Sequence, residues 1–325
     1  MIRPFNLRDL ALVRRLSEQG VSLHTESTLT NDLHPLRGAL LNLVSGDFPT
    51  FVWKLEEVAA SGFIQLRVEG DERHAQILYV GSDTAVFPDV PEQPEDETIW
   101  LTLIDQAVVE IGRRGIHSLV AEVSETGPEL PILRRAGFAV YTRQDIFRLE
   151  TAVAAKLHTT MELQPRRPVD DWDIQLLYGN LVPRLVQLVE PVPLLQQGEG
   201  WLLRENDELA AFAHIRAGST ATWMRLFIHP NAETHADDII TAAAKVAIQK
   251  ANQPIYCCVR RYQSWLQNPM ARIGFEQGGS QAVVVKHTVH HTTNPLPELS
   301  TTMDRQHVPA SAPMIRHFKH KENKD

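Results

Sequence analysis

The amino-acid sequence predicts an α/β protein, more narrowly α+β, built from two tandem copies of one unit: a mixed, mostly antiparallel sheet flanked by helices. Three observations predict it. A helix that halts on glycine and hands the chain to a strand, "ILRRAGFAVYTRQDIFRL" at residues 132–149, recurs as "MARIGFEQGGSQAVVVKH" at residues 270–287. The helical and alternating segments ahead of it follow the same order in both halves, as a large internal repeat requires. A chain of 325 residues is long for one compact domain and suits two of about 150 residues each.

Each element has a local reason. "NLRDLALVRRLSEQG" sets Leu10, Val13 and Leu16 on one helical face, with Asn6 placed to cap its start and Gly20 to end it. "PLRGALLNLVSG" is a weaker helix. "TFVWKLEEV", "SGFIQLRVEG" and "HAQILYVGSD" read as three antiparallel strands. "ETIWLTLIDQAVVEIGRRG" aligns Trp100, Ile104, Val108 and Ile111 along one stripe, and "IHSLVAEV" follows as a strand. In the recurring unit, Arg134 and Arg135 suit the negative end of the helix, Gly137 takes the left-handed conformation that closes it, and Phe138 enters a core. The second half runs through a helical opening at "VDDWDIQLLYGNLVPRLVQL", a hairpin at "GWLLRENDELAAFAHIRAG" and a strand at "ATWMRLFIHP". The long helix "ADDIITAAAKVAIQKANQ", the strand "PIYCCVRR" and a second closure at Gly274 and Phe275 complete it.

These elements divide the chain into a first domain at residues 1–155 and a second at 160–288, with the linker within 150–162. A disordered tail is expected at 289–325, where Pro, Ser, Thr and His are scattered without periodicity. Hydrophobic content of 43% with 22% charged residues describes a chain able to bury sizeable cores. The 40 acidic and 32 basic residues give a formal charge of -8, which argues against broad contact with nucleic acid or an anionic membrane. No apolar run is long enough to span a bilayer. The opening "MIRPFNLRDLALVRRL" carries Asp9 and arginines where a signal peptide needs an apolar core. Cys257 and Cys258 are adjacent and cannot form a disulfide framework, so a reducing, cytoplasmic setting is expected. The histidines His287, His290, His291, His317 and His320 lack acids or cysteines at ligand spacing, so no metal site is expected.

The order of elements, with "ILRRAGF" and "LFIHPNAETHADDII", resembles the GNAT superfamily of N-acetyltransferases across most of residues 1–288. The first segment is similar to the pattern L-Y-x-K-x-G-F, and the second to the strand-to-helix junction V-x-P-x-x-R-G-x-G-x-G. The resemblance implies acetyl-CoA lying where two parallel strands splay, its pyrophosphate on N–H groups opening the long helix. In the second half this assigns donor contacts to Leu226, Ile228, Thr234, His235 and Ala236, with Arg260 and Arg261 as cations near the phosphates. The junction departs from the pattern, since Glu233 stands at the basic position, Ala236 at a glycine and Asp238 at the final small residue. Carboxylates stabilise a helix start but repel phosphate there. In the first half, "SDTAVFPDVPEQPEDETIW" has three prolines and no glycine, and is the poorer cradle.

The resemblance also implies a tyrosine as proton donor to the leaving thiolate, but Leu133 and Met270 occupy that position. Tyr141 and Tyr262 are the nearby substitutes, and His229 the candidate proton acceptor. The expected activity is acetyl transfer to an unknown small-molecule or peptide amine through a degenerate donor site. The alternative is an inactive GNAT-fold binding or scaffolding module. Tandem transferases dependent on aminoacyl-tRNA are disfavoured by the acidic balance, and mycothiol synthase by the missing glycine loop.

Overall fold

Strands from both halves of the chain pair into one sheet. The computed structural model describes residues 2–31, 34–55, 60–68, 74–83, 96–193 and 198–288; the expected disordered tail at 289–325 lies outside the described residues. The first half runs β1 (Ile2–Pro4), α1 (Leu10–Ser17), β2 (Val21–Ser22), α2 (Thr25–Thr30), α3 (Pro35–Ser45) and the meander β3 (Thr50–Leu55), β4 (Ala60–Val68) and β5 (His74–Asp83). It continues with α4 (Asp96–Arg113), β6 (Ser118–Ser124), α5 (Glu129–Arg135) and β7 (Ala139–Leu149). Asn6 accepts the Arg8 N–H as expected, but in front of a short 3-10 turn at Leu7–Asp9. Gly20 is not the helix stop, because α1 already ends at Ser17 and the chain turns into β2. The short elements β2 and α2 carry too few residues for a periodic signal and had no sequence expectation.

The second half runs α6 (Thr151–Ala154), β8 (Gln164–Pro165), α7 (Asp171–Leu181), α8 (Arg184–Gln187), β9 (Glu199–Glu205), β10 (Glu208–Ala217) and β11 (Thr222–Ile228). Then come α9 (Ala236–Lys250), β12 (Ile255–Arg260), α10 (Gln267–Ile273) and β13 (Glu276–His287). Asn206 and Asp207, at φ 52° and 65°, make the two-residue turn whose twist suits the β9–β10 hairpin. Both expected glycine closures form. The Phe138 and Phe275 N–H groups donate to the Leu133 and Met270 carbonyls at 3.0 Å, around Gly137 (φ 87°) and Gly274 (φ 103°).

The strand order is β1-β3-β4-β5-β6-β13-β7-β12-β11-β10-β9-β8, with β2 paired to β5. Each half's last strand therefore leaves its own sheet neighbour and inserts beside the other half's strand: β13 pairs with β6, and β7 with β12. The two crossing strands also pair with each other, with Gln144 opposite Gln281. Both glutamines stand seven residues past their helix-closing glycines, and the flanking pairs Arg143↔Ala282 and Asp145↔Ser280 are mutual equivalents. A local two-fold axis thus passes between the glutamines. The described residues, 2 to 288, belong to one compact unit.

Alternation sorts each strand between two faces. Ile77, Leu119 and Val284 pack with Leu103 and Ile104 of α4, while Met224, Leu226 and Ile228 pack with Ile240 and Ala243 of α9. On the other face, α1 buries Val13 and Leu16 against Phe63, and α7 buries Ile174 and Leu177 against Phe212 and Phe227. Asp9 and Asp170 mark the same point in the two halves. Each carboxylate is buried and accepts its capping backbone N–H, from Asn6 at 3.1 Å and Arg167 at 2.8 Å. Arg3 and Lys54 bind Asp9, and Arg204 binds Asp170. Burial opposes ionisation of Asp9, yet hydrogen bonds from Arg3 and Asn6 hold its pKa down to about 2. No helix among the described residues is long and apolar enough to cross a membrane.

Candidate functional site

The parallel pairs are where the sheet opens. β5 and β6 pair only from His74↔Ser118 to Gln76↔Val120, although β5 continues to Asp83 and β6 to Ser124. β11 and β12 pair from Thr222↔Ile255 to Arg225↔Cys258, and then run on to Ile228 and Arg260. Both partings open on the same place. Gln76 and Val120, the last pair of one half, and Arg225 and Cys258, the last pair of the other, all line a polar cavity of about 110 Å³ on the face away from α4 and α9.

The cavity walls are charged. Glu190, on the segment after α8, accepts two 2.6 Å hydrogen bonds from Arg260 and also pairs with Arg225. Burial opposes ionisation of Glu190, but the Arg225 and Arg260 charges hold its pKa down to about 2. Gln144 joins the halves: its Oε1 accepts from Arg260 at 2.5 Å and from the Cys258 thiol at 3.0 Å, and its Nε2 donates to Gln281 at 2.7 Å. Burial pushes the Cys258 thiol up to about 12, so it stays protonated and is no thiolate nucleophile at neutral pH. From the first half, Glu122 accepts the Thr25 N–H at 2.8 Å, and Glu26 pairs across the halves with Arg216 at 3.0 Å. His24 is buried and its pKa is lowered by desolvation, while its Nδ1 caps α2 through the Ser27 N–H. His74 and His214 complete the imidazoles of the wall.

The sequence-derived donor residues occupy a different part of the second half. Leu226 and Ile228 are buried toward α9. Thr234 and His235 lie in a 3-10 helix, Pro230–His235, that runs straight into α9 at Ala236. This turn uses backbone N–H groups internally: Ala232 donates to His229 and Ala236 to Glu233. His235 pairs with Glu205 at 2.9 Å, and Asp237 forms a two-point pair with Arg272 that lowers its pKa. Asp238 accepts from Thr159 at 3.3 Å. Arg260 is committed to Glu190 and Gln144, and Arg261 to Glu125 at 2.8 Å and Asp145 at 3.5 Å.

The proton-transfer candidates are dispersed. Tyr262 follows β12, packs against the α7 core, and has its pKa raised first by burial and then by the Glu190 charge. Tyr141 bonds His287. The His229 Nδ1 accepts the Asn231 N–H at 3.2 Å, at the start of the 3-10 helix. Cys257 is buried toward α9 and Cys258 faces the cavity, the opposite faces that strand alternation requires. Sequence reasoning missed Glu190, Glu122, His74, His214, Arg216 and Arg225. For all but Glu190, which lies in an irregular segment, the signal is a charged or imidazole side chain inside an otherwise apolar strand, as in "TWMRLFI" and "AFAHIRA".

The architecture has solved counterparts. A tandem GNAT protein from the clavulanic acid biosynthesis pathway matches with a TM-score of 0.51 at 12% identity, over 89% of this chain and 99% of that one. A GCN5-related N-acetyltransferase from Sphaerobacter thermophilus matches with a TM-score of 0.53 at 8% identity, covering 89% and 96%. A putative acetyltransferase from Pyrococcus horikoshii matches with a TM-score of 0.50 at 12% identity, covering 89% of each chain. No protein-family model matches the chain, and no curated protein matches its sequence. The chain has the GNAT fold in tandem, as the sequence resemblance implied.

Proposed function

We propose that this chain is a GNAT-fold N-acyltransferase that passes an acetyl group from acetyl-CoA to an amine held in the central cavity, with a weakened donor site. The observation that carries this reading is the parting of β11 and β12 at Arg225↔Cys258, the pair that also lines the cavity. Backbone N–H groups released where strands part are suited to polarise an acyl carbonyl. The cleft fits the thioester end of the donor. The pyrophosphate end fits poorly, because the junction N–H groups are used within the 3-10 helix and Asp237 and Asp238 open α9.

When bound, acetyl-CoA supplies an activated acyl group whose C–S bond breaks as the C–N bond forms. The amine must first lose a proton, and His214 and His74 are the imidazoles of the cavity wall placed to take it. Tyr262, just past the end of β12, is a phenol protonated at neutral pH as tyrosines ordinarily are, and is assigned as the donor of a proton to the leaving thiolate from beside the cavity. The test is amine-dependent release of CoA thiol from acetyl-CoA by the full chain. Tyr262→Phe is expected to lower the rate about tenfold or more while leaving the melting temperature nearly unchanged. Equal rates with and without every amine tried would sink the transferase reading. A second reading, a non-catalytic binding module, is favoured by the internally used N–H groups and the acids at the start of α9. It predicts no CoA release and no stabilisation by acetyl-CoA.

A further inference from the structure

The outer face of α7 and α8 is apolar where contact with solvent alone favours polar residues. Val169, Trp172 and Leu176 form one helical stripe, at i, i+3 and i+7, along the turn that opens α7 and α7 itself. Leu185 in α8 and Leu188 at its end continue the patch. Each of the five is more than half exposed, Trp172 by 74%. Together they present on the order of 600 Å² of apolar side chain, the upper end of what a monomer carries in one patch. The fold does not require this. Counting from the equivalent aspartates Asp9 and Asp170, the first half has Ala11, Arg14, Arg15 and Glu18, all exposed, where the second has Trp172, Gln175, Leu176 and Gly179. The same helical face is polar in one half and apolar in the other.

The patch also has a shape. Trp172, Leu176 and Leu188 border a groove of about 700 Å³ between α7 and α8, and Gly179 is part of its lining. Gly179 lies inside α7, where glycine weakens a helix relative to alanine. A Cβ at Gly179 would meet nothing within 4 Å, so no contact inside the chain calls for the missing side chain. The glycine leaves room for a group that comes from outside.

We infer that the α7–α8 face is a self-association surface whose partner is a second copy of this chain, with Trp172 of each copy seated in the groove of the other. The groove asks for a bulky apolar group, because Arg184 is the one charged residue in its lining. This chain carries such a group at the groove's own border, so projection and recess belong to one patch, as a two-fold contact requires. Two patches of this size bury on the order of 1,200 Å² when they meet, enough for a specific dimer. An exposed indole at the centre of the contact is the kind of anchor that carries most of the affinity. This surface does not depend on the acyl-transfer reading.

The test is sedimentation velocity of the full chain from about 1 to 200 μM, a span that covers the dissociation constants of interfaces at the small end of the specific range. A monomer–dimer equilibrium is expected. Trp172→Glu removes the anchor and Gly179→Leu fills the groove, and each is expected to weaken the dimer about thirtyfold or more. Both positions are exposed, so the melting temperature of either variant at about 1 μM is expected to match that of the unmodified monomer. Glu18→Leu, at the equivalent position of the first half, is expected to leave the dimer unchanged. A monomer at every concentration, a dimer that survives both Trp172→Glu and Gly179→Leu, or a dimer lost equally in Glu18→Leu would each overturn the inference.

Discussion

The two halves agree at the positions that fold the chain and disagree at the positions that face the cavity. Both close a helix on glycine, both bury an aspartate at the opening helix, and both place a glutamine on the axis between the crossing strands. At the cavity the equivalents part company. Opposite the axial glutamines, Ser124 of the first half stands where Arg260 stands in the second, and so Glu122 corresponds to Cys258 and Glu125 to Arg261. The last pair are equivalent positions of opposite charge, and they pair across the axis at 2.8 Å. Identical residues at these two equivalent positions would place like charges together, so the difference between the halves makes them complementary here. The halves thus agree where the chain folds and differ where their side chains meet at the cavity.

The largest expected contrast sets Glu190 against Ser124, the first-half equivalent of its partner Arg260. Glu190→Gln leaves Arg225 and Arg260 buried without a countercharge and is expected to cost about 3 to 5 kcal/mol in a urea titration, whereas Ser124→Ala costs about 0.5 kcal/mol or less. Acid should reproduce part of this loss. The folded pKa of Glu190 is about 2, below its ordinary 4.5, so its ionised form stabilises the fold above about pH 4.5. That contribution disappears as pH falls toward about 2, and Glu190→Gln should flatten this segment of the stability profile. An unchanged profile would show that Glu190 is not the titrating group.

A smaller contrast tests the repeated closure. Both glycines have positive φ, so alanine at either should cost about 1 to 2 kcal/mol. Gly274→Ala should cost more than Gly137→Ala, because its new Cβ would lie 3.1 Å from Val153 Cγ1, while that of Gly137 would lie 3.8 Å from Lys286 Cε. The smallest effect is at the axis. Glu125→Arg should lower stability only slightly, since solvent screens the exposed Arg261, and adding Arg261→Glu should restore part of it. Additive losses in the double variant would show that the two charges are independent.

The repeat was legible because its signals are local. Gly137 and Gly274 close their helices where the sequence places them, and "HAQILYVGSD" and "ATWMRLFIHP" became strands of the expected sheet. The exchange of β7 and β13 was not legible, since a strand's alternation names its faces and not its neighbour. The cavity was hidden for the same reason. Glu190 lies in an irregular segment with no motif, and its partners Arg225 and Arg260 come from separate strands that only tertiary pairing unites. The junction "LFIHPNAETHADDII" showed the substitutions but not that residues 230–235 would wind into a 3-10 helix that uses its own N–H groups.

The central claim, a GNAT-fold transferase with a weakened donor site, is tested most directly by calorimetric titration of acetyl-CoA into the full chain and into the Glu233→Arg, Asp238→Gly double variant. Reversing the charge at the junction should tighten binding about tenfold, from a dissociation constant on the order of 1 mM in the unmodified chain. Binding at about 1 μM by the unmodified chain, insensitive to both substitutions, would contradict the account and place the donor elsewhere in the molecule.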